Sequence, residues 1–294
     1  MKSAFPATTE IMMQDIETMA IPAPDEILRN TSAWALLLDI DGTLLEMAPS
    51  PDAVVVPPEV IRILATLEKT FGGAVALSTG RQVSDADRLL APLQLTTCGV
   101  HGTEARLVPG GKTLTLVQPV PQALLDAVIE VALMAPGALV EPKGVGIAVH
   151  YRNVPDARPL LVQELARVLL SFDRFALHPG RRVLEIIPRG YSKGTALAWL
   201  MELAPFQGRR PIMIGDDAGD QPALVAAERQ GGFGLKVGES TSARRSPIFT
   251  TSRRCARGSL RLRACRPMPS AVEVAKVRRR MICFVDSDKP AALI

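Results

Sequence analysis

Trp34 to Leu45 reads WALLLDIDGTLL, an apolar run that stops at two aspartates and a glycine. A stretch apolar on both faces suits a central parallel strand, and such a strand ends in acid only where the acid is used. Asp39 and Asp41 lie two positions apart, so both carboxylates can enter one cleft where the strand gives way to a turn. Gly42 supplies that turn, and Thr43 is placed to fasten it. Open α/β sheets bind ligands at the carboxyl ends of their strands, and paired carboxylates there call for a cation. Magnesium (Mg2+) is the expected ion, because it takes hard oxygen ligands and commonly shares them with a phosphate.

An isolated Asp-x-Asp is more often a strand cap, so the catalytic reading needs partner motifs further along the chain. A second β-like run, Ala74 to Leu77, leads into Ser78-Thr79-Gly80-Arg81 and then a helix over Val83 to Leu90. A hydroxyl beside a helix N-terminus can hold a phosphoryl oxygen. The bland reading makes Ser78 or Thr79 the helix N-cap. Later, Ser192-Lys193-Gly194 opens a helix that runs to Leu203, and Pro211 to Ile214 ends in Gly215-Asp216-Asp217. A lysine at a helix start opposes the helix dipole, and a bound phosphate gives Lys193 a reason to be there.

The 294 residues are 47% hydrophobic, a globular composition with length for about two units. No apolar run reaches the ~18 residues of a membrane span, and the N-terminus lacks a signal-like core, so a cytoplasmic protein without a membrane partner is expected. Residues 1–239 hold 21 Lys and Arg against 27 Asp and Glu, net −6, whereas residues 240–294 carry 13 against 3, net +10. The overall basicity therefore belongs to the tail, whose arginines lack interleaved aromatics, and no nucleic-acid partner is expected. Cys255, Cys265 and Cys283 share that tail in no zinc-binding spacing.

Residues 1–30 read as a leader, with a short helix near Glu10 to Met19 broken by Pro22 and Pro24. Helical spacing places a helix over Glu59 to Lys69. From Thr103 to Ile187 the pattern becomes hairpins alternating with helices. Strands at Arg106 to Val108 and Thr113 to Val117 flank Gly110-Gly111, and strands at Ala138 to Pro142 and Gly146 to His150 come after a helix over Pro121 to Met134. A helix over Ala157 to Leu170 and strands at Phe175 to His178 and Arg182 to Ile187 complete the set. The expected architecture is α/β: a doubly wound, Rossmann-like parallel sheet core at 31–104 and 188–238, with an inserted α+β cap domain at 105–187. Residues 239–294 form an atypical basic tail, whose abrupt change of composition resembles a shifted reading frame or an unfolded extension.

In order, the four polar clusters resemble the motifs of haloacid dehalogenase-like phosphohydrolases. The strings Gly99 to Glu104, Glu141 to Gly144, Val149 to Arg152 and Gly180 to Pro188 further resemble the trehalose-6-phosphate phosphatase family. This resemblance implies hydrolysis of a phosphosugar through an aspartyl-phosphate. Asp39 would be the nucleophile and Asp41 the acid and base. Thr79 and Lys193 would grip the phosphoryl oxygens. Mg2+ would be held by Asp39, Asp216 and the main-chain carbonyl of Asp41. Glu141, Lys143 and Glu185 match positions that bind sugar hydroxyls, and His101, His150 and Arg152 fall in matched strings. His178 reads as structural. Where the family continues Gly-Asp-Asp with Thr-Asp-Glu one residue later, this chain has Gly219-Asp220-Gln221, which places metal affinity in question. A related sugar-phosphate phosphatase and a catalytically impaired relative remain the alternatives, and oligomeric state is not legible.

Overall fold

A computed structural model describes residues 22–48 and 53–237. The expected helix near Glu10 to Met19 and the tail from 239 onward lie outside those residues. Among the described residues the strands form two sheets, one of seven strands and one of four.

The first described element is helix α1, Pro24–Arg29. Pro24 opens this helix, because the first helical turn leaves its N–H groups unpaired and a proline there gives up nothing. Strand β1, Trp34–Leu38, is buried along its whole length. Helix α2 (Pro58–Thr70), strand β2 (Val75–Ser78), helix α3 (Val83–Leu90) and strand β3 (Thr96–Gly99) come next. β1 pairs in parallel with β2, and β2 with β3. Residues 36 and 38 of β1 pack toward α2 and α3, while residues 35 and 37 pack on the opposite face. Burial on both faces is the physical reason that β1 reads as one unbroken apolar run.

The next two strands correct an expectation. β4 (Glu104–Arg106) pairs antiparallel with β3, and β5 (Leu114–Thr115) pairs antiparallel with β4. The hairpin around Gly110-Gly111 therefore extends the large sheet and does not join the small one. A hairpin's turn chemistry fixes its own register, but which sheet edge it meets is a long-range outcome.

The small sheet is built from helix α4 (Gln122–Leu133), β6 (Leu139–Pro142), β7 (Ile147–His150), helix α5 (Arg158–Leu169), β8 (Phe175–Gly180) and β9 (Val183–Pro188). Its strand order is β6-β7-β9-β8, antiparallel throughout. α4 and α5 cover one face, burying Leu124, Val128, Leu161 and Leu165 against Ile147, Val149, Leu184 and Ile186. By the two-residue period of a strand, Glu141, Ala148 and Glu185 take the other face.

The chain returns to the large sheet through helix α6 (Lys193–Leu200), β10 (Arg210–Gly215), helix α7 (Gln221–Arg229) and β11 (Phe233–Lys236). Its order is β11-β10-β1-β2-β3-β4-β5, so the connection reverses direction beside β1. That reversal opens a crevice at the carboxyl ends of β1 and β10, where ligands bind in open α/β sheets. No described helix is long and apolar enough to cross a membrane.

Candidate active site

The crevice is built first by the end of β1. Asp39 is 3% exposed, and its N–H continues the ladder to the Ile214 carbonyl at 2.9 Å. The chain then turns through main-chain bonds, Gly42 N–H to the Leu45 carbonyl at 2.8 Å and Leu45 N–H to Ile40 at 2.9 Å. The Thr43 hydroxyl is buried with no partner among the described residues, so the main chain fastens this turn and Thr43 does not. Gly42 is required twice: φ is +87°, and a Cβ there would lie 2.3 Å from Asp216 Oδ2.

Lys193 enters from the start of α6, where Ser192 caps the helix by accepting the Thr195 N–H at 3.1 Å. The Lys193 Nζ donates to Asp39 at 2.7 Å and to Asp220 at 2.6 Å. Its place at a helix start, unfavourable by dipole, is thus answered by two buried carboxylates. Asp220 also accepts the N–H groups of Asp216 and Asp217 at 3.0 and 3.2 Å, and Asp217 accepts those of Gly219 and Asp220 at 2.7 and 3.2 Å. The turn is closed by these two acids, so its shape does not depend on a side chain at 219 or 221.

Asp39, Asp216 and Asp220 each offer an oxygen within 4.8 Å of the others. Lys193 and the exposed Arg181, 3.6 Å from Asp216, cannot neutralise these three carboxylates and Asp217 beside them. Burial pushes the Asp39 carboxyl up to about 7, with Lys193 opposing the rise and Asp220 and Asp216 adding to it. Asp216 is pushed up to about 6 by burial and by Asp217 and Asp220, against Arg181 and Lys193. Burial alone would lower the Lys193 ammonium, yet Asp39 and Asp220 hold it above the usual lysine range. Hard oxygen donors carrying uncompensated charge fit a divalent cation of the calcium and magnesium type.

β2 supplies the opposite wall. Thr79 is 1% exposed, and its hydroxyl accepts the Arg81 N–H at 3.1 Å, leaving the hydroxyl proton to donate elsewhere. It does not cap α3. The first amide of that helix, Val83 N–H, donates instead to the Glu104 carboxylate at 3.1 Å. Arg81 reaches Asp41 with two charge-assisted bonds, Nε at 2.6 Å and Nη2 at 2.7 Å.

The small sheet covers this crevice with its polar face, enclosing a cleft of about 700 Å³. Asp39, Asp41, Lys193, Asp216, His101, Glu141, Lys143, Glu185 and Arg152 all line it, together with His150. Glu141 accepts from His150 at 2.7 Å; burial would raise the Glu141 carboxyl, but His150 and Lys143 hold it below the usual range. Glu185 is engaged by His101 at 2.6 Å and Lys143 at 3.3 Å. Arg152 donates to the Ala48 carbonyl. His178, on β8, does not line the cleft.

The sequence-derived candidates other than Thr79 therefore line one cleft, and Thr79 is buried next to Gly80, which lines it. Arg81, Asp220 and Arg181 also contribute; sequence pattern marks Asp220 only as an acid retained behind the metal site and gives neither arginine a role. Arg81 ends the Ser-Thr-Gly-Arg cluster and reads only as part of it. Asp220 reads as a retained acid, without its bond to Lys193. Arg181, at the β8–β9 turn, brings its guanidinium 3.6 Å from Asp216 and its N–H 3.3 Å from Asp217. A basic pair after a glycine gives no hint of a partner so distant along the chain.

Similarity to known proteins agrees with this geometry. The trehalose-phosphatase family model matches residues 37–252. The trehalose-6-phosphate phosphatase of Escherichia coli (strain K12) is 38% identical over 210 residues, covering 71% of this chain and 79% of that protein. A probable trehalose-phosphate phosphatase of Sinorhizobium fredii is 40% identical over 213 residues, covering 71% and 80%. In fold, the C-terminal domain of a trehalose-6-phosphate phosphatase from C. albicans superposes with a TM-score of 0.60 at 18% identity, over 71% of this chain and 79% of that one. With the motif carboxylates, the lysine and the covering sheet gathered on one cleft, the chain belongs to the trehalose-phosphatase family.

Proposed function

We propose that the protein is a magnesium-dependent phosphatase that converts trehalose 6-phosphate to trehalose and phosphate. The observation that carries this reading is the convergence of Asp39, Lys193, Asp216 and Asp41 at the end of β1, under a polar sheet that offers hydroxyl-binding groups. A Mg2+ ion held by Asp39, Asp216 and the main-chain carbonyl of Asp41 would supply positive charge against the phosphoryl oxygens.

The chain's own residues account for the remaining chemistry. An Asp39 oxygen attacks phosphorus, forming an aspartyl-phosphate as the bond from phosphorus to the sugar oxygen breaks. Asp41 gives its proton to the departing sugar oxygen. Water then attacks the aspartyl-phosphate, Asp41 takes the proton of that water, and Asp39 returns as a carboxylate. Lys193 and the Thr79 hydroxyl proton stabilise the phosphoryl oxygens, a role in which preorganised charge is the main lever. Arg81 holds both Asp41 oxygens, so it releases one while Asp41 carries the proton and retakes it once the proton has left. Glu141, Lys143, Glu185 and Arg152, with His101 and His150 beside them, face the sugar hydroxyls, carboxylates accepting from them and the ammonium and guanidinium donating to them.

The domain division that suits this reading has the seven-stranded sheet with its helices, the β4–β5 hairpin included, as the catalytic core, and the four-stranded sheet with its helices as the cap. A phosphate-release assay across trehalose 6-phosphate, sucrose phosphate and glucose 6-phosphate tests the assignment, with Asp39→Asn as control. Preference for trehalose 6-phosphate and a loss of at least about 10³-fold in the control are expected. Equal turnover by the control would refute the chemistry, and preference for another ester would refute the substrate.

A further inference from the structure

Three consecutive residues after β3 hold left-handed backbone: Val100 at φ 42°, His101 at 55° and Gly102 at 91°. A β-branched valine in that region is an outlier, of a kind that persists only where surrounding contacts over-determine it. The consequence is an inward-facing, buried His101, whose Nε2 lies 2.6 Å from Glu185 on β9. The main chain of the same turn grips the loop after β2: His101 N–H donates to the Thr79 carbonyl at 3.2 Å and Val100 N–H to Arg81 at 2.9 Å. Lys143, just past β6, holds that loop from the other side. Its Nζ donates to the Gly80 carbonyl at 2.7 Å, and its own carbonyl accepts from the Gln82 amide at 3.3 Å. A Cβ at Gly80 would stand 3.1 Å from Glu185 Oε1 and 3.2 Å from His101 Nε2, so a side chain there would push the bridge by a few tenths of an ångström.

We infer that His101 is a positioning residue: clamped by Glu185, it docks the small sheet on the Thr79–Arg81 loop and so sets the height of the sugar-binding face above Asp39. Its catalytic consequence rests on the phosphatase reading; its geometry does not. Both Glu185 oxygens are engaged, Oε2 by His101 and Oε1 by Lys143. Burial would raise this carboxyl, and His101 and Lys143 instead hold it well below the usual range. Among the other ties, Arg181 is 58% exposed, Arg152 reaches the main-chain carbonyl of Ala48, and Val100 adds a buried apolar contact with Val145 and Ile187. The His101–Glu185–Lys143 group is buried, with the Lys143 ammonium 3.3 Å from the Glu185 carboxylate. Glu185 on this view orients the sheet in addition to facing the sugar.

The test combines hydrogen exchange with kinetics on His101→Asn, Glu185→Gln and the double variant. Asparagine tolerates left-handed backbone, and Glu185→Gln keeps its shape, so it remains an independent probe should His101→Asn fail to fold. In the protein without substrate, amides of Thr79–Arg81 should exchange at least about tenfold faster in either variant. A direct sugar ligand would leave them unchanged. Turnover of the sugar phosphate should fall about 10- to 100-fold, the cost of misplacing a bound group by about an ångström. The double variant should be no slower than the slower single variant, since both break one bridge. Unchanged exchange, unchanged turnover despite faster exchange, or losses that multiply would each overturn the inference. Should the wild type release phosphate from no sugar ester, the phosphatase reading fails while the exchange arm still reads the bridge.

Discussion

The Lys193 ammonium lies 2.7 Å from the Asp39 carboxylate, joining residues 154 positions apart at the centre of the large sheet. Both side chains are about 5% exposed, and the same ammonium holds Asp220 at 2.6 Å. Removing it leaves two buried carboxylates facing each other. Lys193→Met should therefore cost about 3–5 kcal/mol of folding stability, as breaking a buried ion pair does, and abolish phosphate release. Urea denaturation of the two proteins measures the first, and a midpoint equal to the wild type's would refute it.

Arg81 engages Asp41 through two bonds that a lysine cannot reproduce. Arg81→Lys should keep the charge and lose the orientation. A fall in kcat of about 10- to 100-fold with little change in KM is expected, within the range that a misplaced acid and base costs. Steady-state kinetics decide the point, and an equal kcat would mean that Asp41 is oriented by other contacts.

Cation binding should be visible without turnover. Excess Mg2+ at about 100 times its dissociation constant adds about 2.7 kcal/mol to a protein that binds it only when folded. Thermal melting with Mg2+ or with a chelator should show that gain in the wild type and little of it in Asp216→Asn, whose amide offers no charge. A shift of equal size in both would remove Asp216 from the site. Phosphate release should cease with the chelator and return with added Mg2+.

Stability should depend on pH at both extremes, for opposite reasons. Glu185 is held below its unfolded value of 4.5, so its contribution is complete above that pH and is lost as the pH falls toward its folded value. Glu185→Gln should flatten the acid limb of a melting-temperature profile. Burial pushes the Cys98 thiol up from 9.0 to about 12, so its contribution is complete below about pH 9 and is lost as the pH climbs toward 12. Cys98→Ala should flatten the alkaline limb, and a limb of unchanged slope would count against either attribution.

Much of this arrangement is legible from local pattern. β1 reads as buried because both of its faces are apolar, and Asp39, Asp41, Thr79, Lys193 and Asp216 stand out because each interrupts such a pattern where an element begins or ends. α2 and α3 follow from their apolar spacing, and the small sheet's strands from alternation and turns. β3 and α7 do not stand out, since Thr96-Thr97-Cys98-Gly99 is short and weakly apolar, and Gln221–Arg229 carries a proline in its first turn.

Local pattern fixes which residues are acids at strand ends, which faces are apolar, and in what order the elements run, because those depend on neighbours along the chain. It leaves open which edge receives the hairpin of β4 and β5, that Asp220 shares Lys193 with Asp39, that Arg81 rather than solvent meets Asp41, and that Glu185 meets His101 across 84 positions. Those pairings arise when two sheets close on one crevice and buried charges must find partners within bonding distance. Spacing along a chain carries no record of that requirement.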